Sequence, residues 1–311
     1  ACTFQCSAST DCPKNVYIPD FDYYAPGSTA EACQLLSQFG ARAKVLAGGT
    51  DILSKLKTFS PIAPAQMECP EIMVSLKNLE QLKKIEYVPG KGVVIGALAT
   101  HNDLVNSEVL NNKYMSISEA AHQMANNQVR HRGTIGGNLI NAVPSADLPP
   151  ILIALNATVK LVSADGERII PLEELFLGVC LTCCAETEIF TEVFIPDQKM
   201  TGSNYIKFGA RRSGALAIAG VAVAVEVANN VLKDARIVSG AVAITPVRAK
   251  KAEDFLKGKE ISAELLEEAG VIASGECKPI TDIRASAEYR TDLVRILTKR
   301  ALRKAIDQGH V

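Results

Sequence analysis

Two short glycine-bearing segments carry residue types that could hold an anionic ligand. They read Ala-Gly-Gly-Thr-Asp at 47–51 and Thr-Ile-Gly-Gly-Asn at 134–138, and each adjoins a strand-like run. Paired glycines let the backbone take positive φ and approach a ligand without an intervening Cβ. Exposed N–H groups of such turns can converge on a diphosphate, and Thr or Asn side chains add neutral donors. The pattern favours an anion site between two turns, although paired glycines also mark turns that bind nothing.

Other glycine-based nucleotide motifs are not found in this sequence. Gly90, Gly92 and Gly96 miss the G-x-G-x-x-G dinucleotide pattern by one residue, and no G-x-x-x-x-G-K-[ST] segment occurs. A classical Rossmann site for NAD is therefore not expected. The two glycine turns need no lysine of the P-loop kind, because amides and hydroxyls would hold the diphosphate.

Nine cysteines could in principle supply thiolates to a metal, and six of them form two clusters. The clusters are Cys2, Cys6 and Cys12, and Cys180, Cys183 and Cys184. Neither shows the paired C-x2-C knuckles of a zinc site or the regular spacing of an iron–sulfur site. An odd count at irregular spacing, in a chain large enough to fold without disulfides, is typical of a reducing cytoplasm. We therefore expect free thiols and no metal site on this chain.

The composition narrows the classes of protein to which this chain can belong. Of its 311 residues, 48% are hydrophobic and 22% are charged, which suffices for a buried core. A formal net charge of −1 gives no basic surplus for binding nucleic acid. The longest apolar run, Ala215 to Val225, is about half the length of a membrane span, so we interpret it as a buried strand. No signal segment opens the sequence, and we expect a cytoplasmic protein without a membrane span.

Hydroxyl-bearing residues predict where helices begin near the two turns. Capping-box patterns occur at three places: Ser28 with Glu31, Thr100 with Asp103, and Ser116 with Glu119. The helix after Ser28 is predicted to end at Gly40, and the helix after Ser116 is predicted to continue through Ala125. Ser145 is predicted to cap a helix with Pro149 and Pro150 in its first turn, where a missing N–H costs least. Further helices are predicted at 249–256, 263–274 and 286–306.

Short apolar runs between these helices predict the strands. They lie at 43–47, 73–76, 93–98, 158–162, 169–172, 189–195, 205–208, 215–225 and 236–244. The turn at Asp165 and Gly166 predicts a hairpin between two of them. A polar stretch at 196–204 predicts a domain boundary. The mixture indicates an α+β fold.

Three segments in this order closely resemble the FAD-binding subunits of molybdenum hydroxylases of the xanthine dehydrogenase and carbon monoxide dehydrogenase type. They are AGGTDIL from residue 47, NNQVRHRGTIGGNLINAVPSADLPPILIAL from residue 126, and YIKFGARRSGALAIAGVAV from residue 205. A fourth, RASAEYRTDLVRILTKRALRKAI from residue 284, is similar to the same family's C-terminal domain. The resemblance spans about residues 16 to 308.

The resemblance implies an α+β fold with two domains. A two-part FAD-binding domain of the vanillyl-alcohol-oxidase (PCMH) type would occupy residues 16–199. A smaller C-terminal sheet-and-helix domain would follow at 200–311, and residues 1–15 would form an N-terminal tail of unknown role.

The same resemblance implies which residues contact FAD. The segment at the diphosphate and adenosine side would be Val45, Leu46, Ala47, Gly48, Gly49, Thr50, Asp51 and Ile52, and the facing turn Thr134, Ile135, Gly136, Gly137 and Asn138. Asp147 would be an acid beside the cofactor, Phe190 an apolar residue against the flavin ring, and Lys207 a cation near its pyrimidine edge. Such a cation would stabilise negative charge that develops on the ring during reduction. The alternatives are an exposed surface Lys207 and an Asp147 that serves only a helix N-terminus.

The sequence departs from its relatives at two places. Between Asn138 and Asp147 it lacks the four-cysteine loop by which the hydroxybenzoyl-CoA reductase branch holds an iron–sulfur cluster. At 178–185, GVCLTCCA replaces a more usual Gly-Pro-Gly-Lys-like stretch, which bears on the loop near Phe190.

The predicted function is a flavin relay with non-covalent FAD, most similar to xanthine dehydrogenase. A large subunit with a molybdenum cofactor would oxidise the substrate, and a small 2Fe–2S subunit would pass electrons to the FAD, which delivers them to NAD or another acceptor. No motif in this sequence would activate an organic substrate. Two alternatives stay open: a stand-alone FAD oxidoreductase of the same superfamily, and a non-catalytic nucleotide- or metal-binding scaffold.

Overall fold

The computed structural model describes residues 20–57, 70–211 and 213–308. The predictions for the tail at 1–15 and for Cys2, Cys6 and Cys12 lie outside these ranges. The described chain opens with strands β1 (Asp22–Tyr24), β2 (Ala43–Leu46) and β3 (Ile72–Ser75) and helices α1 (Thr29–Phe39) and α2 (Ile52–Lys57). The three strands form a parallel sheet in the order β1-β3-β2. The first glycine turn therefore leaves the carboxyl end of β2.

A second, antiparallel sheet carries the other glycine turn on its helical connections. Its region contains β4 (Ile85–Val88), β5 (Gly92–Gly96), β6 (Thr158–Val162), β7 (Glu167–Pro171), β8 (Phe176–Gly178), β9 (Leu181–Thr182) and β10 (Ile189–Pro196). The sheet order is β4-β5-β10-β6-β7, while β8 and β9 form a separate hairpin. The helices are α3 (His101–Asn106), α4 (Glu108–Lys113), α5 (Met115–His122), α6 (Asn127–Arg130), α7 (Ile135–Asn141) and α8 (Leu148–Ala154).

The C-terminal part is a four-stranded antiparallel sheet covered by helices. It consists of β11 (Gly202–Gly209), β12 (Ala217–Ala228), β13 (Val231–Gly240), β14 (Val247–Arg248), α9 (Lys250–Leu256), α10 (Ala263–Gly275) and α11 (Ala287–Gln308). The sheet order follows the chain, β11-β12-β13-β14. Strand β12 is buried on both faces, between α8 on one side and α11 on the other. This position explains its uninterrupted apolar run.

The two parts share a continuous apolar core across the predicted boundary at 199/200. Ala222, Ala224 and Val238 of the C-terminal sheet pack in the same cluster as the helices and sheet of the first part. The absent side chain of Gly240 lets Pro150 of α8 approach, since a Cβ there would lie 2.8 Å from Pro150 Cγ. The boundary position stays a prediction. Within the described residues no helix is long and apolar enough to cross a membrane.

Several predicted elements are confirmed. Ser28 Oγ accepts from Glu31 N at 3.1 Å to cap α1, and Gly40 ends that helix with φ +53°. Thr100 and Asp103 form both hydrogen bonds of a capping box at the start of α3. Strands β6 and β7 form the hairpin expected around Asp165 and Gly166.

Predicted boundaries of α5, α8 and β13 are wrong. Ser116 lies inside α5, which begins at Met115, because its buried hydroxyl contacts Ser203 Oγ at 2.7 Å in the C-terminal part. That helix ends at His122 instead of Ala125, whose φ of +43° breaks it. The N-cap of α8 is Asp147, although both prolines occupy the first turn as predicted. Strand β13 stops at Gly240, since Ala241 turns with φ +64°.

Candidate functional site

The two glycine turns are packed directly against each other. A Cβ built on Gly48 would lie 1.9 Å from the carbonyl oxygen of Arg132 and 3.2 Å from Gly133 Cα. Only glycine therefore fits at position 48, and its absent side chain brings the turn after β2 onto the turn before α7. The tertiary structure thus brings together two segments that lie about 85 residues apart in sequence.

Three consecutive free backbone amides lie in the first of the two turns. Gly49 has φ +75°, and among the described residues the amides of Gly48, Gly49 and Thr50 donate to no acceptor. In the second turn Ile135 N donates to Ala99 O at 2.9 Å and Gly136 N to Ala97 O at 2.9 Å. An anion held by amides at this junction would therefore be held by the first turn.

The second turn contributes mainly shape and side chains. Gly137 N donates to Thr134 Oγ1 at 3.1 Å, which caps α7. A Cβ on Gly137 would meet only Thr134 Oγ1, at 3.0 Å, among the described atoms within 4 Å, so its outer side is open. Asn138 Oδ1 is buried and has no hydrogen-bond partner in the described part of the chain. A buried acceptor without a partner is costly and points to a missing donor.

Lys55 links α2, the helix after the first turn, to α7, the helix after the second turn. Its Nζ lies 2.7 Å from Asp51 Oδ2, one helical turn away, and donates to Asn141 Oδ1 at 2.9 Å. Asp51, expected to contact FAD, is therefore paired with a cation on its own helix. The two turns are held together by this link as well as by the Gly48 contact.

The predicted acid and the predicted cation form a buried ion pair. Lys207 Nζ lies 2.8 Å from Asp147 Oδ2, and the two side chains are only 9% and 4% exposed. Tyr205 donates its hydroxyl to Asp147 Oδ1 at 2.8 Å, and Lys207 also donates to Gln123 O at 3.0 Å. Asp147 stands at the N-cap of α8, but its side chain makes no capping hydrogen bond there within the described chain. Both alternatives, an exposed lysine and a mere helix cap, are therefore wrong.

Burial sets the electrostatics of this Tyr–Asp–Lys network. Removal from water raises the pKa of the Asp147 carboxyl, while the charge of Lys207 and the hydrogen bonds from Lys207 and Tyr205 lower it. Burial, followed by the nearby Asp147 charge, raises the pKa of Tyr205 well above its usual range. The tyrosine therefore stays a hydrogen-bond donor at all physiological pH values.

Phe190 lies in the apolar core at the start of β10. It pairs with Leu161 of β6, and the next residue, Thr191, accepts a hydrogen bond from Ala97 N at 2.8 Å. Ala97 in turn accepts from Gly136 N, so Phe190 belongs to the strand that supports the second glycine turn. The structure thus places it next to that turn's scaffold.

Sequence reasoning missed His101, which lies beneath the second turn. Its backbone N donates to Gly133 O at 3.0 Å, its side chain is 1% exposed, and its Nδ1 has no partner among the described residues. Burial, followed by repulsion from Arg130, lowers the pKa of His101 to about 4. The capping box at Thr100 fixed its position on α3, but nothing local in the sequence signals the contact with Gly133.

Tyr205 was also missed, although a signal was available. Residues 205 and 207 are two apart on β11 and therefore point to the same face of the sheet. A tyrosine beside a predicted functional lysine could thus have been grouped with it. Gln123 contributes only a carbonyl oxygen and carries no side-chain signal.

The cysteines in the described ranges are free thiols. Cys180 is exposed, and Cys183 and Cys184 are partly buried. Burial raises the pKa of the Cys184 thiol to about 12, so it is protonated at neutral pH. No group of three or more His, Cys, Asp or Glu side chains in these ranges is arranged to hold a metal ion.

A separate cavity of about 410 Å³ lies between α5 and the C-terminal part. Its lining includes Glu119, His122 and Lys304 together with Gln123 and Tyr205 of the Lys207–Asp147 network, but none of the sixteen residues expected to contact FAD. No residue of the two glycine turns lines this cavity. The geometry of the amides, and not the cavity volume, therefore locates the candidate site.

The chain matches known proteins along nearly its whole length. Residues 19–198 match the family described as FAD binding domain in molybdopterin dehydrogenase, and residues 204–305 match the CO dehydrogenase flavoprotein C-terminal domain. The carbon monoxide dehydrogenase medium chain of Hydrogenophaga pseudoflava is 35% identical, with 92% of this chain and 97% of that protein covered. The nicotine 6-hydroxylase medium subunit of Paenarthrobacter nicotinovorans is also 35% identical, with 93% and 98% covered.

A solved structure extends this similarity to the fold. Carbon monoxide dehydrogenase from Hydrogenophaga pseudoflava, in a form lacking the Mo-pyranopterin moiety, has a chain that superimposes with a TM-score of 0.87 at 34% identity. The superposition covers 93% of this chain and 98% of that one. Since family, sequence and fold agree over both parts, the chain belongs to the FAD-binding medium subunits of the molybdenum hydroxylases, the flavin subunits of these oxidoreductases.

Proposed function

We propose that FAD binds non-covalently in the groove where the two glycine turns meet, with its diphosphate on the first turn. The observation that carries this proposal is the contact of Gly48 with Arg132 and Gly133, which brings the two turns together. The three free amides of the first turn then lie beside the groove between the turns. Amides in such a concavity bind phosphate oxygens without a cationic side chain. Neither turn contains a His or Cys to which the flavin could be attached.

The residues present fit a dinucleotide that spans both turns. The open side of Gly137 leaves room for a ligand, and the buried Asn138 Oδ1 can accept from a ribose hydroxyl or an adenine amine. Thr50 and Thr134 add hydroxyl donors on the two sides of the groove. These features support the sites assigned to Val45–Ile52 and Thr134–Asn138.

Bound FAD would accept electrons singly and release them in pairs. This chain's residues would orient it: the first turn would hold the diphosphate, and the resemblance assigns Phe190, which is buried in the core, to the ring. The Lys207–Asp147 pair would sit at the pyrimidine edge, where Lys207 presents positive charge and Asp147 balances it. Gln123 and Tyr205 fix this pair, so its charges do not have to reorganise when electrons arrive.

The proposed complex contains a large subunit with a molybdenum cofactor and a small 2Fe–2S subunit. Support comes from relatives that are themselves named medium chain or medium subunit of carbon monoxide dehydrogenase and nicotine 6-hydroxylase. We further propose that the complex oxidises a xanthine dehydrogenase-like substrate and that NAD is the electron acceptor. Both parts of the proposal rest on the motif resemblance. The free thiols are consistent with the proposed cytoplasmic location.

A Gly137→Val variant tests the FAD site. A Cβ there approaches Thr134 Oγ1 at 3.0 Å but meets no other described atom within 4 Å, so the chain should fold while the groove is blocked. We expect at least a tenfold loss of FAD affinity, measured by flavin fluorescence on titration of the apoprotein. Gly275→Val at the end of α10, where a Cβ meets nothing within 4 Å, is the matched control and should bind normally. Unchanged FAD affinity in a folded Gly137→Val protein would refute the site.

A further inference from the structure

Large apolar side chains are exposed on two neighbouring parts of the surface. Six of the thirteen exposed large hydrophobic residues in the described chain lie on one hairpin and on a set of loops at the end of the C-terminal sheet. Single exposed apolar residues are common, but contiguous patches mark interaction sites. The structure places both groups beside one loop.

The first group is the hairpin patch, formed by Leu177, Val179 and Leu181 on and between β8 and β9. Each of these side chains is more than half exposed. Cys180 N, at the hairpin turn, donates to Ala142 O at 3.0 Å. The hairpin is therefore held against the C-terminal end of α7, the helix that follows the second glycine turn.

The second group is the loop patch, formed by Ile244, Ile280 and Ile283. All three are more than half exposed, and Ile283 is fully exposed at the tip of a tight turn. The buried Arg290 fixes these loops, because its guanidinium donates to Ala241 O at 3.0 Å and to Asp282 Oδ1 at 2.7 Å. The patch is thus presented on anchored backbone instead of on free loops.

Both patches adjoin the segment that leads to Asp147. The hairpin bonds to Ala142 O, and Ala241 N of the loop region donates to Pro144 O at 2.9 Å. Ala142 and Pro144 are two residues apart, hence separated by at most about 7 Å. Asp147 follows three residues later, so the two patches flank the approach to the Lys207–Asp147 pair.

Charged groups near the patches are largely paired within the chain, except that Asp282 is shared by Arg284 and the buried Arg290 and that the exposed Lys278 has no ion pair in the described ranges. Arg168 pairs with Glu188 at 2.6 Å beside the hairpin, and Arg284 pairs with Asp282 at 3.1 Å beside Ile283. The surface therefore offers apolar contacts without a field of one sign. Such a surface suits a permanently bound subunit better than a transient partner guided by charge.

We propose that the hairpin patch and the loop patch together form the docking face for the small 2Fe–2S subunit. This inference rests on the proposed function and adds its location. A one-electron donor has to sit next to the flavin, and this face borders the segment that carries Asp147. The large subunit has no such requirement, because its electrons pass through the iron–sulfur clusters.

The test is purification of the tagged chain from its source organism, with the double variant Val179→Asp/Ile283→Asp compared with wild type. Two carboxylates in an apolar interface are costly to bury. We expect acid-labile iron per FAD to fall at least tenfold, with FAD per chain unchanged. Val271→Asp on α10, a half-exposed apolar position that belongs to neither patch, is the control and should retain its iron.

The outcomes separate this inference from the proposed function. Wild-type chain that carries FAD but no iron or molybdenum subunit contradicts the proposed function itself. A wild type with iron and a double variant with undiminished iron leave the function standing and overturn the docking face. Loss of molybdenum without loss of iron, or formation of a homodimer of this chain through these residues, would also overturn the docking face. Hydrogen exchange provides a variant-free check, since amides at 176–182 and 278–285 should be slowed in the complex relative to the free chain.

Discussion

The ion pair between Lys207 and Asp147 changes what a lysine at the flavin can do. A lone cation would raise the reduction potential, but a cation 2.8 Å from a carboxylate presents little net charge. The local charge therefore depends on both residues. Their effects on a bound flavin should have opposite signs.

Substitution of each partner tests this pairing. Lys207→Met removes the cation and should lower the two-electron potential, whereas Asp147→Asn should raise it. A change of about 1.4 kcal/mol in the stability of the reduced flavin, the energy of one pKa unit, corresponds to roughly 30 mV for a two-electron couple. The double variant, neutral at both positions, should lie near wild type in spectroelectrochemical titration. If neither single variant shifts the potential beyond error, the pair is only structural.

His101 gives the folded chain a pH dependence. Its pKa is lowered to about 4 in the folded state, against 6.5 when unfolded. Between these values only the unfolded chain binds the proton, so stability is present above pH 6.5 and is lost as pH falls towards 4. From pH 7 to pH 5 the loss should be about 2 kcal/mol.

Urea unfolding at the two pH values measures this dependence. In His101→Gln the titrating group is absent, and the stability loss between pH 7 and pH 5 should shrink by that amount. An equal loss in wild type and variant would mean that His101 is protonated in both states or in neither.

At the scale of elements, Gly48 joins the parallel sheet to the connection between α6 and α7. A methyl group there would lie 1.9 Å from Arg132 O, so Gly48→Ala forces the two turns apart. Overpacking of this kind costs about 1–3 kcal/mol. We expect a lower unfolding midpoint and weaker FAD binding together.

Gly275→Ala is the control for this element contact. It adds the same methyl group in open space and should leave both the unfolding midpoint and FAD binding unchanged. Full FAD affinity in Gly48→Ala would show that the junction of the turns is not the binding groove.

At the scale of the whole molecule, the described chain holds the groups proposed to bind and tune a flavin, and no cluster in its described residues could hold a metal. The isolated chain, loaded with FAD and confirmed free of molybdenum, should accept electrons from artificial reductants. It should oxidise no purine, aldehyde or carbon monoxide in steady-state assays. Substrate-dependent flavin reduction by this preparation would favour the stand-alone oxidoreductase instead.

The sequence by itself determined most of the local structure. The N-caps at Ser28 and Thr100 were predicted correctly. In each of them a side-chain hydroxyl oxygen accepts from the backbone amide three residues later, and such local hydrogen bonds can be predicted from sequence. The same rule failed at Ser116, whose hydroxyl has a partner 87 residues away. Helix positions in the C-terminal part followed from apolar periodicity alone. The strands followed less closely: β13 spans Val231–Gly240 instead of 236–244, β11 begins at Gly202 inside the predicted boundary, and β14 was not predicted.

The sequence also located both glycine turns and, through the family resemblance, Asp147 and Lys207. Only the tertiary structure decided that Gly48 packs on Arg132, that three consecutive amides of the first turn stay free, and that Lys207 is neutralised by Asp147. The physical reason is distance along the chain. Contacts between residues 60 or more positions apart depend on how sheets and helices pack, and local residue patterns carry no signal of that packing.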